Sequence, residues 1–401
     1  MTKLITCIAL ATFVSFASAA GCAGDLTATS QADLDSIRTC QIYNGKITVN
    51  AIQGNEVLSL AGVQQIAGDL ILKDITMVTK VDLPDLRRVS GDMVLQNIRD
   101  MHSINMPQLT ATGTFKIATA PAMTLIEFPS GLSEANSITI SDTTATEVRG
   151  IRATNLVQLM VDNNHYLKGI NLNTITSVKD SIKIYANAPG FGVDLGGLQT
   201  MNTGNFRNID AISLANLSKS EGDVLFQTNT FASLELPKLI TASKTISVSD
   251  NSKLIKLSIP ELTFVGGAFT IAGNTALTRM ESFAKLAEVD GTVDITGPFD
   301  DLKMPLLTDV RGGMNLQTSS KMYSCDQMNK VRSTVVKGNA YLCKSAVSNP
   351  TSVQGVSSGS GSGGKGGSSN ALGGFTSAGE KPLASLFNIA SAAVFAAMMF
   401  A

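Results

Sequence analysis

The chain has 401 residues and no Trp, and its 31 basic and 32 acidic side chains leave a formal net charge of −1. With no basic stripe, this balance gives no electrostatic basis for binding nucleic acid, and we expect no such partner. Apolar residues make up 44% of the sequence. Two terminal segments predicted to be removed inflate that fraction, and the body between them is rich in Thr, Ser, Asn and Gly.

Residues 1–20 are predicted to be a secretory signal peptide. Lys3 precedes an apolar run, and Ala17-Ser18-Ala19 fits the small-x-small cleavage rule, which places cleavage near Ala19 or Ala20. A transmembrane anchor is the alternative, but the segment is too short and ends in the wrong residues for one.

Short runs of alternating apolar and polar residues recur through the whole body. Thirteen steps carry the pattern from Gly45 to Gly338, so the mean step is about 22.5 residues. Most steps are 22 to 24 residues, but that from Gly204 to Gly222 is 18. The fourteen residues that open the runs are Gly45, Gly68, Gly91, Gly113, Asn136, Gln158, Asp180, Gly204, Gly222, Lys244, Gly267, Gly291, Gly313 and Gly338.

Each period has the parts of one coil. Alternation with period two predicts a strand, and a glycine before it relieves crowding at a corner. An Asn or Asp after the run is expected to take the bend and to hydrogen-bond to neighbouring backbone. These are Asp74, Asn97, Asp142, Asn163, Asn187, Asn229, Asn251 and Asn274. A Leu a few residues later is expected to point inward, as at Leu167, Leu234, Leu254, Leu277 and Leu302.

A coil of this kind cannot bury its apolar side alone, but stacked coils can. Residues 21–343 are therefore predicted to form an all-β fold, a right-handed parallel β-solenoid of about 14 leucine-rich-repeat-like coils. Few windows could hold a helix, although residues 281–289 could form two turns.

Four cysteines remain after signal removal, and they allow three pairings. They form one pair at each end of the body, each 18 residues apart, so the bridges expected in an oxidising compartment are Cys22–Cys40 and Cys325–Cys343. Such bridges would tie caps onto the two ends of the solenoid, including a short helix within residues 29–40. A zinc site is the alternative, but no CxxC occurs and the two His residues are isolated. No metal and no cofactor is expected.

The C-terminal part has the pattern of a tethered surface protein. Residues 344–371 are Gly/Ser-rich and predict a flexible tether. Residues 372–401 combine a polar spacer with an uncharged apolar tail, which predicts a GPI-anchor signal with Ser369 as attachment site and Asn370 as the alternative. A membrane-spanning helix is the competing interpretation. The mature body is expected outside the cell, held at the plasma membrane by GPI lipid or at the wall.

The terminal segments carry a family resemblance. CAGDLTATSQADLDSIRTCQIYNGKITV, then LSLAGVQQIAGDLIL, and the final KGNAYLC with its Gly/Ser tether resemble the fungal GPI-anchored cell-wall organisation proteins. That family has receptor L-domain-like repeats and includes the sporulation-specific wall proteins. The resemblance implies a surface glycoprotein needed for wall integrity, without known enzymatic activity. Asn216-Leu217-Ser218 is the one usable N-glycosylation sequon of the body, fewer than the family pattern suggests.

The alternative to a binding protein is an enzyme. A polysaccharide hydrolase or lyase would need converging carboxylates, for which the candidates are Asp69, Asp92, Asp223, Asp300 and Asp301. The simpler interpretation of the Gly-Asp openings is a turn-forming corner, and no His, Arg or aromatic cluster accompanies them.

The outward positions of the runs are Thr, Ser, Lys, Gln and Asp, which suits contact with wall glycans or glycoproteins. The sequence thus favours a non-enzymatic wall-organisation protein, with a polysaccharide-remodelling enzyme as the alternative.

Overall fold

The computed structural model describes residues 21–50, 57–280 and 283–352, and it shows a parallel β-solenoid of about 14 turns. In chain order the elements are β1 (Leu26–Ala28), α1 (Gln31–Asp35), β2 (Ile42–Tyr43), β3 (Ile47–Asn50), β4 (Val57–Ser59), β5 (Gln65–Ile66), β6 (Leu70–Ile75), β7 (Lys80–Asp82), β8 (Arg88–Ile98), β9 (Ser103–Asn105), β10 (Ala111–Ala120), β11 (Leu125–Leu132), β12 (Ser137–Thr143), β13 (Glu147–Ile151), β14 (Asn155–Asp162), β15 (Gly169–Asn171), β16 (Ser177–Tyr185), β17 (Gly192–Asp194), β18 (Thr200–Arg207), β19 (Ala211–Ser213), β20 (Lys219–Ser220), β21 (Val224–Gln227), β22 (Ser233–Glu235), β23 (Thr241–Ala242), β24 (Ile246–Ser249), β25 (Lys256–Ser258), β26 (Phe264–Val265), β27 (Phe269–Ala272), β28 (Arg279–Met280), β29 (Glu288–Val289), β30 (Val293–Gly297), β31 (Asp309–Val310), β32 (Met314–Thr318), α2 (Asp326–Val335) and β33 (Tyr341–Lys344).

The strands form two faces, and every pairing within the described residues is parallel. Twenty-two strands make one continuous main sheet. The second face is built from four short sheets, β4-β7-β9, β11-β13, β15-β17-β19 and β22-β25-β28. A typical coil contributes a strand to the main sheet, bends, and then contributes a strand of two to eight residues to the second face before it returns. The predicted β-solenoid is therefore confirmed.

A single hydrophobic core runs between the two faces. The Phe115 ring on β10 meets the Phe128 ring on β11 edge to face, with ring centroids 4.9 Å apart. The five leucines expected to point inward are all buried, including Leu167 and Leu254, which have no exposed surface. Each coil alone would leave this apolar stripe in water, so stacking is what stabilises the fold.

At some corners, such as that of Gly291, glycine is required because consecutive coils touch there through their backbones. A Cβ on Gly291 would lie 2.5 Å from the carbonyl carbon and oxygen of Gly267. The Gly291 N–H donates to the Gly267 carbonyl (3.0 Å), and the Gly312 N–H donates to that of Gly291 (3.0 Å). The predicted opening residue Gly313 is thus one position late, since Gly312 occupies the corner.

A second corner was also placed wrongly. Gly204 pairs with Ile182 and Val224, so it lies within a strand at an inward position. The corner of that coil is Asn202, whose carbonyl accepts the Gly222 N–H (3.1 Å). The irregular 18-residue step came from taking Gly204 as the opening glycine, and the step between true corners is 20 residues (222 − 202).

The Asn and Asp residues after the runs divide between two adjacent positions. Asp74, Asn97, Asp142 and Asn163 adopt the left-handed conformation and make the bend, with φ between 52° and 55°. At the other four predicted sites, the preceding residue makes the bend. Those preceding residues are Ala186, Thr228, Asp250 and Gly273. The prediction that one residue does both tasks is therefore wrong.

The Asn residues that follow the bend form a buried ladder between coils. The Asn251 Oδ1 accepts the backbone N–H (2.9 Å) and the Nδ2 (3.0 Å) of Asn229. The Asn251 Nδ2 donates to the Phe226 carbonyl (3.1 Å) and to the Asn274 Oδ1 (3.0 Å). Asn164 and Asn187 repeat this pattern. An amide can do this because it carries both donors and acceptors.

Disulfide-bonded caps close both ends, as expected. At the N-terminal end α1 begins with a capping box between Ser30 and Asp33, and Cys22 is bonded to Cys40 with their Cα atoms 5.5 Å apart. At the other end α2 is followed by β33, and a bridge joins Cys325 to Cys343. Residues 283–289, the described part of the other possible helix, contain β29 instead.

The chain does not leave the body at the last strand. After Lys344, residues 345–352 fold back over the outer face of the main sheet, where the Ala346 and Val347 N–H groups donate to the Ser320 and Thr318 carbonyls (both 2.9 Å). The predicted tether therefore begins with residues packed on the body. The rest of it, with Ser369 and Asn370, lies outside the described residues, as do the predicted signals 1–20 and 372–401. Within the described part, no helix is long and apolar enough to span a bilayer.

Candidate binding surfaces

The candidate carboxylates of the Gly-Asp openings have structural partners. The Asp69 Oδ1 accepts the Asp92 backbone N–H (2.9 Å), and the Asp223 Oδ1 accepts that of Thr245 (3.0 Å). Each carboxylate therefore satisfies a backbone donor at the corner of the next coil, as the simpler interpretation predicted. This arrangement aims them along the stack of coils rather than at a shared substrate position.

The other two candidates, Asp300 and Asp301, lie about ten coils beyond Asp69 along the chain. Asp300 accepts a hydrogen bond from the Ser320 Oγ (2.6 Å), and Asp301 forms an ion pair with the Lys303 Nζ (2.8 Å). They line a cleft of about 840 Å³ beside α2. The five candidates are thus not brought together in one site.

The two histidines are exposed residues of turns, His102 before β9 and His165 before β15. Among the described residues, no group of three or more His, Cys, Asp or Glu side chains could hold a metal ion.

The glycosylation candidate is held in a return loop between second-face and main-sheet strands. The Asn216 Nδ2 donates to the Gly196 carbonyl (2.6 Å), and its Oδ1 accepts from the Lys238 Nζ (2.6 Å). A sugar on Nδ2 would leave one amide hydrogen, enough to keep the bond to Gly196. Glycosylation of Asn216 stays a prediction that this half-buried geometry allows.

A groove of about 850 Å³ lies on the second face across β13, β15, β17 and β19. Its floor has small outward residues in register, because Gly169 pairs with Gly192 and Gly192 pairs with Ala211. A Cβ on Gly192 would meet only the Ala211 Cβ and carbonyl oxygen, at 3.6 and 3.7 Å. Packing does not demand this glycine, and glycine within a strand is typical of places that something approaches closely.

The sides of the groove are polar, and two of its four charged lining residues form an ion pair with each other. Asn171, Asp194 and Ser213 lie side by side in adjacent strands. On the other side Glu147 forms an ion pair with Arg149, and the hydrogen bond from this guanidinium lowers the pKa of the Glu147 carboxyl. The groove therefore offers amide, hydroxyl and backbone groups, without an aromatic side chain among its lining residues.

Sequence reasoning did not find this groove. It placed the binding surface on the outward positions of the main runs, whereas the groove lies on the second face. A usable signal was present, since Gly169 and Gly192 occupy outward strand positions that hold Ser, Leu or Glu in neighbouring coils.

Asp162 is a buried acid on the outer face of the main sheet. The Asp162 carboxyl is 3% exposed. Burial raises the pKa of Asp162, and so does the charge of Asp142, while hydrogen bonds from Ser141 and Tyr185 lower it.

The chain is similar in sequence to fungal surface and wall proteins over most of its length. It is 30% identical over 347 residues to the "Cell surface GPI-anchored protein" of Arthroderma benhamiae, covering 86% of this chain and 88% of the relative. It is 29% identical to "Protein ecm33" of Aspergillus fumigatus, covering 83% and 82%, and 27% identical to "Cell wall protein ecm33" of Schizosaccharomyces pombe, covering 81% and 76%. No family model and no solved structure gives a significant match.

The terminal cysteine frames that carried the resemblance are the disulfide-bonded caps. The chain belongs to the fungal family of GPI-anchored cell-surface and cell-wall proteins that includes the ecm33 proteins.

Proposed function

We propose that this protein is a non-enzymatic, GPI-anchored organiser of the fungal cell wall, and that it binds wall glycan in the groove of the second face. The groove carries the proposal, because it combines an open floor at Gly169 and Gly192 with amide and hydroxyl groups along its length. An extended, uncharged and hydroxyl-rich polymer matches such a surface.

The absence of an aromatic platform from the lining residues predicts weak binding per sugar unit. Useful affinity then requires a long polymer that engages many copies of the protein held at one surface. Binding should accordingly rise steeply with glycan length.

Three observations support a role without catalysis. Four of the five carboxylates considered from the sequence, namely Asp69, Asp223, Asp300 and Asp301, accept a structural hydrogen bond or form an ion pair. The Asp194 carboxylate in the groove accepts the Gly196 N–H (2.9 Å). The relatives are named as surface and wall proteins and not as enzymes. Asp194→Asn should therefore leave wall integrity intact in a deletion strain, whereas a polysaccharide-remodelling enzyme using this carboxylate would lose its function.

Binding is tested with the purified secreted protein and insoluble β-glucan, chitin and mannan from isolated walls. Gly192→Leu fills the groove without a backbone clash and should weaken saturable binding by about tenfold or more. Ser103→Leu makes the same change at an exposed outward strand position away from the groove and should bind like the wild type. Absence of saturable binding to every polymer, or equal binding by both variants, would contradict the proposal.

The anchor needs its own test. Attachment at Ser369 predicts that a phosphatidylinositol-specific phospholipase releases the protein from cells. Protein that stays on lipid after treatment would favour a spanning helix, and protein that stays with the wall would indicate transfer to wall glucan.

A further inference from the structure

The segment after the C-terminal cap is bound to the body near both of its ends. Ala346 is in the left-handed conformation (φ 54°) and reverses the chain direction just after β33. From there residues 345–352, which we call the strap, run back along the solenoid axis from the edge strand β33 across β32 to β30. The strap crosses two strand spacings, about 10 Å, away from the end of the solenoid.

Polar side chains of the sheet hold the far end of the strap. The Thr351 carbonyl accepts hydrogen bonds from the Asn315 Nδ2 and the Gln317 Nε2, both 3.0 Å long. One residue further, the Ser352 Oγ donates to the Asp294 Oδ2 (2.5 Å). These three sheet residues are also bonded to one another, Asn315 to Asp294 at 2.8 Å and Gln317 to Asn315 at 2.9 Å.

The strap covers polar groups of this face. Asp294 and Asn315 occupy outward positions of the main sheet, and they are 1% and 0% exposed. In the same row, Thr270 lies one coil beyond the contact of Ser352 with Asp294 and is also buried, whereas Asn205, three coils further, is half-buried. A buried carboxylate and amides are stable when their hydrogen bonds are made, and the strap supplies part of that set.

We propose that the outer face of the last coils is a docking surface for the chain's own segment 345–352, and that this strap is where tension from the anchor enters the body. The second half rests on the proposed function, since it assumes an anchor beyond Ser352. The tether then begins after Ser352 and not at Lys344. A pull on it loads the Asp294 and Asn315 contacts first, and only afterwards the edge strand β33.

The Cys325–Cys343 bridge is the second stage of this load path. Once the strap is released, Lys344 is the next residue to be pulled, and its neighbour Cys343 is covalently tied to α2. The eight strap residues have an extended length of about 28 Å, and the docked strap runs about 10 Å back toward the N-terminal end. Its release should therefore lengthen the loaded protein by about 38 Å. The strap thus gives a limited extension before the covalently closed cap is loaded.

Hydrogen exchange on the full mature protein, without glycan or membrane, tests the docking itself. The Ala346, Val347 and Thr351 amides, which donate to the body, should exchange at least about tenfold more slowly than expected for an unstructured peptide. Asn315→Ala with Gln317→Ala should remove that protection, whereas Asn205→Ala should preserve it. Val347→Pro acts from the strap side by removing the donor to Thr318, and it should also abolish protection while the coils stay protected.

Unprotected strap amides in the wild type would overturn the docking. So would protection that survives both the sheet-side and the strap-side variants. The load path is then measured by optical tweezers between the N-terminus and residue 369, where an early step of about 38 Å is expected in the wild type and none in Val347→Pro. Absence of that step in the wild type would overturn the load path. Since no arm uses glycan, failure of groove binding leaves these results unaffected.

Discussion

Replacing Asn251 by Leu should test whether the buried ladder holds the coils in register. The two side chains are similar in size, so the change removes hydrogen bonds without opening a large cavity. Asn251 has no exposed surface, and it serves the coil on each side of its own.

The expected cost follows from which partners are left unsatisfied. The Asn274 Oδ1 still accepts the backbone N–H of residue 251 (3.0 Å), and the Asn229 Nδ2 still donates to the Phe206 carbonyl (3.0 Å). The Asn229 backbone N–H and the Phe226 carbonyl lose the partners that Asn251 provided. At about 1–3 kcal/mol for each buried unsatisfied group, we expect a loss of about 4 kcal/mol in the free energy of unfolding.

Denaturant unfolding, combined with hydrogen exchange, provides the assay. In a stacked repeat the loss should concentrate in the coils that share the ladder, so amides around residues 229–274 should lose protection before those near either cap. Asn205→Leu is the matched control, because Asn205 is a half-buried outward residue, and it should change stability by less than about 0.5 kcal/mol. A loss below about 1 kcal/mol for Asn251→Leu, or equal losses in the two variants, would refute the role assigned to the ladder.

Three further changes test the corners, the caps and the buried acid. Gly291→Ala should destabilise by about 2 kcal/mol or more through its backbone clash, whereas Gly169→Ala, whose Cβ meets nothing closer than 3.5 Å, should be nearly neutral; equal melting temperatures would contradict this. Changing Cys325 and Cys343 to Ser opens an 18-residue loop and should lower the free energy of unfolding by about 3 kcal/mol. The melting temperature should fall, and reductant should cause no further loss of stability at the C-terminal cap. Because the pKa of Asp162 is raised, the folded state binds the proton of this carboxyl more tightly than the unfolded state does. The free energy of unfolding therefore falls as pH rises through the interval between the ordinary and the raised pKa of Asp162. Asp162→Asn should therefore stabilise the protein at pH 7 but not below that interval, and a pH-independent difference would argue against burial as the cause.

The sequence by itself determined the architecture, because every coil repeats the same local rules. Alternation with period two, a small residue at the corner and an inward Leu recur often enough that errors at single coils did not matter. The position of the cysteines at the two ends of the body was equally informative, since pairs separated by 18 residues can close only local loops.

Only the tertiary structure decided how neighbouring coils meet. Gly204 stands near the sequence position expected for a corner, but its pairing with Ile182 puts it inside a strand. The two adjacent positions of the bend look alike in sequence, since both accept Asn. They separate only when backbone conformation and burial are seen together, as at Asn163 and Asn164.

The groove and the strap depend on contacts between segments far apart in sequence. The groove exists because outward residues from four coils, among them Gly169 and Ala211, fall into register. The strap begins a segment whose Gly/Ser composition predicts a tether, yet Thr351 lies against Asn315 and Gln317, 36 and 34 residues before it. Local propensity describes each segment alone, whereas a polar cleft that another segment fills is a property of the assembled stack.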